Sequence, residues 1–179
     1  MKLKALSITD LEQVRQWRNS QIEMLRTPFF LTQEMQEKFY HDVICNRNSN
    51  ARFWGIFAEV GNIYPSLIGM CGLENISWEN RNAEISLILN PEYIMDKYGK
   101  EAIRLLLHEG FMSMNLENIF TEVYDCNPNK HFWINEYMHH INTYVPITTL
   151  PNRKYWNGKY YDSYYINFNK ERYNENSVS

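Results

Sequence analysis

Little in this chain favours a polyanionic partner. Lys and Arg number 18 against 21 Asp and Glu, for a formal net charge of −3. A domain that grips nucleic acid by its phosphates needs a basic excess, so nucleic acid is not expected as a partner. A weakly acidic surface better suits a cationic or neutral substrate. Cysteine is also scarce. Cys45, Cys71 and Cys126 are odd in number and far apart, which gives neither a disulfide framework nor metal-ligand spacing. They are expected to be reduced, mostly buried thiols, with no metal site. No apolar run reaches the ~18 residues of a membrane span. The first residues, MKLKALSITD, lack the apolar core of a secretory signal. The expectation is a cytoplasmic protein with no membrane partner. There is no internal repeat, linker or composition break, so one domain is expected over residues 1–170, followed by a polar, fraying tail at 171–179.

What is present is an ample interior. Hydrophobic residues make up 44% of the 179, including 13 Tyr, 9 Phe and 5 Trp, which argues against disorder. Lys2 to Ile8 reads as a first strand. Thr9-Asp10-Leu11-Glu12 has the form of a capping box, and Leu11, Val14 and Trp17 follow at helical spacing. Thr32 is expected to cap a second helix with the stripe Met35, Phe39, Val43. Arg52 to Val60, Ser66 to Trp78 and Ala83 to Leu89 read as strands joined by the short turns at Gly61-Asn62 and 79–82, hence an antiparallel meander. Lys100 to Met114 is amphipathic at the helical period. Ile119 to Tyr124 is an apolar strand, and a helix between two strands implies a parallel pair. Lys130 to His140 reads as a helix. Two last strands are expected near 143–149 and 160–168, with Asn157-Gly158 as a hairpin turn.

This order is an α/β layout with a mixed central sheet of about six to seven strands and about four flanking helices. It resembles the GNAT acyltransferase superfamily over nearly the whole chain. The likeness is carried by DLEQVRQWRN (10–19), LIGMCGL (67–73), NRNAEISLIL (80–89), YGKEA (98–102), FMSMNLENIFTEV (111–123) with DCN (125–127), and NGKYYDS (157–163). Within the superfamily it is similar to the branch of the ribosomal-protein alanine acetyltransferases of the RimJ/RimL type, the spermidine acetyltransferases and the amino-sugar acetyltransferases. The resemblance implies acetyl-CoA as co-substrate and a primary amine as acceptor: a protein N-terminus, a polyamine or a nucleotide-linked amino sugar. It implies direct transfer in a ternary complex by a monomer or homodimer. The donor's pantetheine arm would lie along Ser86, Leu87, Ile88 and Leu89, pairing with strand backbone as a peptide would. Its pyrophosphate would meet Lys97, Tyr98, Gly99 and Lys100 at a helix N-terminus. Asn127 would contact the arm, unless it is simply a strand-end turn residue. Trp17, Arg18 and Asn19 would border the acceptor.

The chain departs from the family in two places. The phosphate loop, usually Arg or Gln, two residues, Gly, one residue, Gly, falls on Ile94 to Gly99, and only Gly99 remains. The general-acid Tyr, seven residues after Asn127, is Ile134, with Tyr137 one helical turn on as its candidate substitute. These departures leave two rivals: a binding protein that has lost donor chemistry, and a transferase with another acyl donor. Glu84 is the candidate base or cation holder, and its bland alternative is a surface pair with Arg81. His139 and His140 fit a base by type, but loop positions suit them as well. His41, His108 and His131 read as helix-face residues. The aromatic group Tyr155, Trp156, Tyr160, Tyr161, Tyr164 and Tyr165 fits either a substrate groove or a packed hairpin.

Overall fold

The computed structural model describes residues 1–61, 64–94, 97–139 and 147–176. Seven strands form one sheet: β1 (Lys2–Lys4), β2 (Arg52–Ala58), β3 (Ser66–Ser77), β4 (Asn82–Leu89), β5 (Asn118–Tyr124), β6 (Ile147–Trp156) and β7 (Lys159–Asn169). Their spatial order is β1-β2-β3-β4-β5-β7-β6. The pairing is antiparallel except between β4 and β5, which are parallel as the intervening helix requires.

Among the described residues five helices flank the sheet: α1 (Ile8–Asn19), α2 (Gln33–Phe39), α3 (Lys97–His108), α4 (Lys130–His139) and α5 (Lys170–Asn176). The larger core lies between the sheet and α3, where Ala102, Ile103, Leu106 and Leu107 pack on Ile56, Leu73, Leu89 and Ile119. A smaller cluster packs Leu11 and Val14 of α1 on Met70 and Ile88. The sheet is therefore covered on both faces, and each face of β4 serves a different layer.

Several local expectations shift. The first strand stops at Lys4, and the capping box is Ser7 with Asp10, two residues earlier than Thr9 with Glu12. Ser7 stands at the turn itself: its Oγ accepts the Asp10 N–H at 3.2 Å, and the Asp10 carboxylate accepts the Ser7 N–H at 2.8 Å. Glu12 instead holds Arg15 at 2.6 Å. Thr32 caps α2 as expected. Along that helix, however, Gln36 is the buried residue and Met35 is 49% exposed, so the apolar stripe borders a cavity rather than the core. Both α2 and α3 end in a wider turn, Tyr40–Ile44 and Glu109–Ser113, instead of continuing as regular helix. Asn157 and Gly158 both have positive φ, 48° and 86°, the left-handed pair that a tight hairpin turn needs. Residues 171–176 of the expected tail belong to α5, whose Tyr173 ring packs on Phe111 at 5.2 Å. The turn residue Asn62, Met95 and Asp96 of the phosphate loop, His140 with the His139 side chain, and the start of the strand expected at 143 lie outside the described residues.

Candidate active site

The central event is the separation of β4 from β5. Their parallel ladder runs through Asn82–Asn118, Ala83–Ile119 and Glu84–Phe120, and no further pair is formed among the described residues. Beyond that point β5 pairs only with β7, up to Tyr124. One backbone edge of Ile85–Leu89 therefore faces a slot instead of a strand. The slot has a volume of about 110 Å³ and is lined by Leu87, Leu89, Thr121, Asn127, Trp133 and Tyr137, among others. Buried backbone N–H and C=O groups require partners, and an extended ligand carrying amides supplies them. Gln21, just past α1, reaches into the slot and donates to the Leu89 carbonyl at 2.8 Å.

Two side chains give the slot chemistry. Asn127 is 7% exposed, and its Oδ1 accepts the Asn129 N–H at 2.8 Å. It is both the turn residue and a cleft residue. Tyr137 is buried at 5% exposure, and burial pushes its hydroxyl up to about 12, partly offset by a hydrogen bond with Thr121. Ile134 packs against the core instead. Tyr137, and not Ile134, thus brings a hydroxyl to the slot, from the next turn of α4.

Gly99 lies in the first turn of α3, buried and helical. A Cβ there would meet the Trp133 ring at 3.1 Å. The glycine is needed for this close approach of α3 to α4, and not for the positive φ that a phosphate loop suggests. Helix geometry leaves the N–H groups of this first turn, which holds Lys97, Tyr98 and Lys100, without helical acceptors. The side chains of Lys97, Tyr98 and Lys100 border a separate groove with Lys2 and Phe57.

On the other face of β4 lies a cavity of about 370 Å³, walled by α1, the loop after it, α2 and strands β3 to β5. Glu74, Glu84 and Glu122 all line it. Glu74 and Glu84 are direct partners across the β3–β4 ladder, next to an irregularity at which Asn75 takes a φ of 53°. Like charges directly opposite destabilise a strand pair, and the Glu84 charge is offset by a cation on its other side. Arg26 supplies it. Its Nη1 donates to Glu84 Oε2 at 2.9 Å, its Nη2 to Glu84 Oε1, and its Nε to the Tyr124 hydroxyl at 3.1 Å. Asn75 Nδ2 also donates to Glu84 Oε2, at 3.0 Å. Burial alone would raise the Glu122 carboxyl, but Ser163 at 2.5 Å and Arg153 at 3.1 Å hold it below its ordinary value. Glu74 moves the other way: burial and the facing Glu84 carboxylate raise it, with Arg26 opposing in part.

The sequence-derived candidates divide accordingly. Glu84 is 6% exposed and inward-facing, while Arg81 pairs with Glu117 at 2.7 Å instead. Ser86, Leu87, Ile88 and Leu89 form the free strand edge. Arg18 lines this cavity while its guanidinium donates to the Phe29 and Thr27 carbonyls at 2.8 and 3.2 Å. Asn19 exchanges two hydrogen bonds of 2.9 Å with Leu31, and Trp17 packs on the small cluster. Both position the loop and neither lines the cavity. His41 and His131 are exposed. His108 faces Tyr173 on α5. The hairpin aromatics pair across strands, Tyr155 on Tyr160 at 5.1 Å. Among the cysteines, Cys71 is buried and Cys45 is exposed. Arg26, Glu74, Glu122, Tyr124 and Gln21 escape a reading by motif. The alternation Glu122, Tyr124 and the ten-residue spacing of two glutamates in one hairpin were the available signals.

Among the described residues no helix is long and apolar enough to cross a membrane, and no group of three or more His, Cys, Asp or Glu is arranged to hold a metal ion.

Comparison with known proteins agrees with this geometry. The family model described as acetyltransferase (GNAT) domain matches residues 1–130. No curated protein sequence matches the chain. Among solved structures, the spermidine N-acetyltransferase from Vibrio cholerae in complex with CoA and spermine superposes with a TM-score of 0.81 at 21% identity, covering 96% of each chain. Mutant forms of the spermidine/spermine N-acetyltransferase from the same organism give 0.81 at 22% identity, covering 98% of this chain and 97% of theirs.

Proposed function

The chain belongs to the GNAT acetyltransferase family, and on that premise we propose that it moves the acetyl group of acetyl-CoA to a primary amine of a polyamine. The observation that carries this reading is the position of the β4–β5 separation. It opens directly after Glu84, so an amide-bearing donor in the slot ends against a cavity walled by three glutamates. That wall favours a flexible polycation. A nucleotide-linked amino sugar would bring its diphosphate to the same carboxylates, which repel it. The structural neighbours named for spermidine and spermine acetylation fit the same choice.

Each residue then has a role that its contacts support. Glu84 and Glu122 hold ammonium groups of the acceptor. Backbone N–H groups of β4 beyond Glu84 steady the oxyanion as the amine attacks the thioester carbonyl. The C–N bond forms, the C–S bond breaks, and the departing thiolate takes a proton from the Tyr137 hydroxyl, which water restores. Asn127 and Trp133 hold the arm. The intact slot is also what opposes a binding protein without donor chemistry.

The test is a competition in one assay. Acetyl-CoA is supplied with spermidine, spermine, an alanine-terminated peptide and a nucleotide-linked amino sugar. CoA thiol release and product mass are followed. The polyamines are expected to show the highest kcat/KM. A higher value for the peptide or sugar overturns the acceptor, and absence of thiol release with every amine overturns the transferase reading.

A further inference from the structure

Of the three cavity carboxylates, two are committed. Glu84 accepts from both terminal nitrogens of Arg26 and from Asn75. Glu122 accepts from Ser163, Arg153, Tyr124 and Arg26. A carboxylate whose lone pairs already bind donors can attract a cation but is a poor proton acceptor. Glu74 differs: among the described residues its carboxylate has no hydrogen bond and no ion pair. It lines the acceptor cavity. It stands on β3 directly opposite Glu84, the residue at which β4 leaves β5. Its lone pairs are therefore open to the cavity next to the mouth of the donor slot.

We propose that Glu74 is the general base of this enzyme, taking the proton from the acceptor ammonium, directly or through one water, while Glu84 and Arg26 fix the charge around it. The inference rests on the acetyltransferase reading above. The protonated acceptor gives one proton to Glu74 and becomes a neutral amine. The amine nitrogen attacks the thioester carbon. As the C–S bond breaks, the thiolate gains a proton from Tyr137, and the nitrogen's second proton passes through water to the Tyr137 phenolate and restores it. Glu74 then releases its proton to solvent, so the net products are the acetamide, free CoA and one proton.

The surroundings support the role. Burial and the facing Glu84 raise the Glu74 carboxyl, and a base is most effective when its pKa approaches the working pH. The charged and titratable groups around this cavity are Glu84 on β4, Arg26 in the loop before α2, Glu122 and Tyr124 on β5, and Arg18 on α1. Glu84, Arg26, Glu122 and Arg18 sit in hydrogen bonds or ion pairs with other parts of the protein. Glu74 is left to set the acid limb of the rate profile.

The experiment compares wild type with Glu74→Gln and Glu74→Asp, using spermidine and acetyl-CoA across pH. For Glu74→Gln, kcat should fall ~10²- to 10⁴-fold, the range of general acid–base catalysis, with the KM for acetyl-CoA unchanged and the acid limb abolished. Glu74→Asp should keep the acid limb and part of the rate. Folding is checked separately by urea unfolding. A raised carboxyl pKa stabilises the fold fully below the unfolded value, and that contribution is lost as pH rises through the folded value. Glu74→Gln should remove this loss and be no less stable than wild type at neutral pH. A kcat within twofold of wild type, or a retained acid limb, overturns the assignment. A rise in acceptor KM with kcat unchanged also overturns it, because it would make Glu74 a binding group. If wild type itself acetylates no amine, the acetyltransferase reading fails and this inference falls with it. A Glu74→Gln defect in a wild type that turns over cannot be mistaken for that failure.

Discussion

Arg26 offers the sharpest quantitative test of the charge arrangement. Arg26→Met keeps the length of the stem but removes the fork that joins Glu84, Glu122 and Tyr124. The glutamate side chains are only 7% and 5% exposed, whereas that of Arg26 is 46% exposed. The loss therefore falls on the carboxylates, which stay buried without their cation. A hydrogen bond to a charged group contributes ~1.5–3 kcal/mol. Solvent reaches the half-exposed guanidinium and will partly fill its place, and one carboxyl can protonate, so the net loss is set at ~2–3 kcal/mol. For a chain of this size ~2–4 °C is lost per kcal/mol, giving a Tm drop of roughly 4–12 °C. The pH dependence has a fixed sign. The Glu122 carboxyl is held low in the folded state, with Arg26 among the contributing cations. That stabilisation exists above the unfolded carboxyl value and is lost as pH falls through the folded one. The gap between wild type and variant should thus be widest near neutral pH and close in acid. Urea unfolding at several pH values reads it directly. Added spermidine should stabilise the variant more than wild type, because the vacated site then binds an ammonium. A Tm unchanged at neutral pH, or a gap independent of pH, would refute the view that Arg26 is the counterion of this cavity.

Two further outcomes follow from the slot. Tyr137→Phe should leave acetyl-CoA binding intact and lower kcat by only about 10- to 10²-fold, below the upper range for acid catalysis, since a hydroxyl raised to about 12 gives its proton to a thiolate uphill; steady-state kinetics with a calorimetric check of donor affinity decides it, and a change within twofold means that solvent supplies the proton. Gly99→Val should drive a methyl into the Trp133 ring, met already at 3.1 Å by a bare Cβ, and so lower stability by ~1–3 kcal/mol while weakening CoA binding through the displaced Trp133; a variant with wild-type Tm and CoA affinity would show that α3 and α4 do not need this close approach.

Much of the fold is legible because period and punctuation agree along it. The alternating apolar runs around Gly61 and residues 79–82 could pair only as a meander. The Lys100 to Met114 stripe demanded a helix, and that helix forced β5 to lie parallel to β4. Asn157-Gly158 named its own turn. Legibility failed where two local solutions compete within a few residues. Ser7 and Thr9 can each cap α1, and Ser7 prevails because Asp10 closes the box from the third position. Residues 171–176 look like a tail because Tyr173 is their main apolar residue. Its partner Phe111 lies 62 positions earlier, and no local pattern reports that contact.

The site divides along the same line. The slot beside β4 was readable because it is made by backbone: a strand that outruns its neighbour leaves free hydrogen-bonding groups whatever side chains it carries, and Tyr137 lines that slot from one turn beyond Ile134 on α4. The glutamate-walled cavity was only partly readable because it is made by long-range pairing of charges. Glu84 stood out by its motif, yet the motif cannot say that Arg26, 58 positions away, occupies both its oxygens. Nor can it say that Glu122 is engaged by Arg153 and Ser163, which β6 and β7 bring back from the far end of the chain. Proton-accepting capacity is what remains after those commitments, so it cannot be assigned to a glutamate by its neighbours in sequence. The register that sets Glu74 against Glu84 is the step that converts an anonymous strand residue into the uncommitted carboxylate of the cavity.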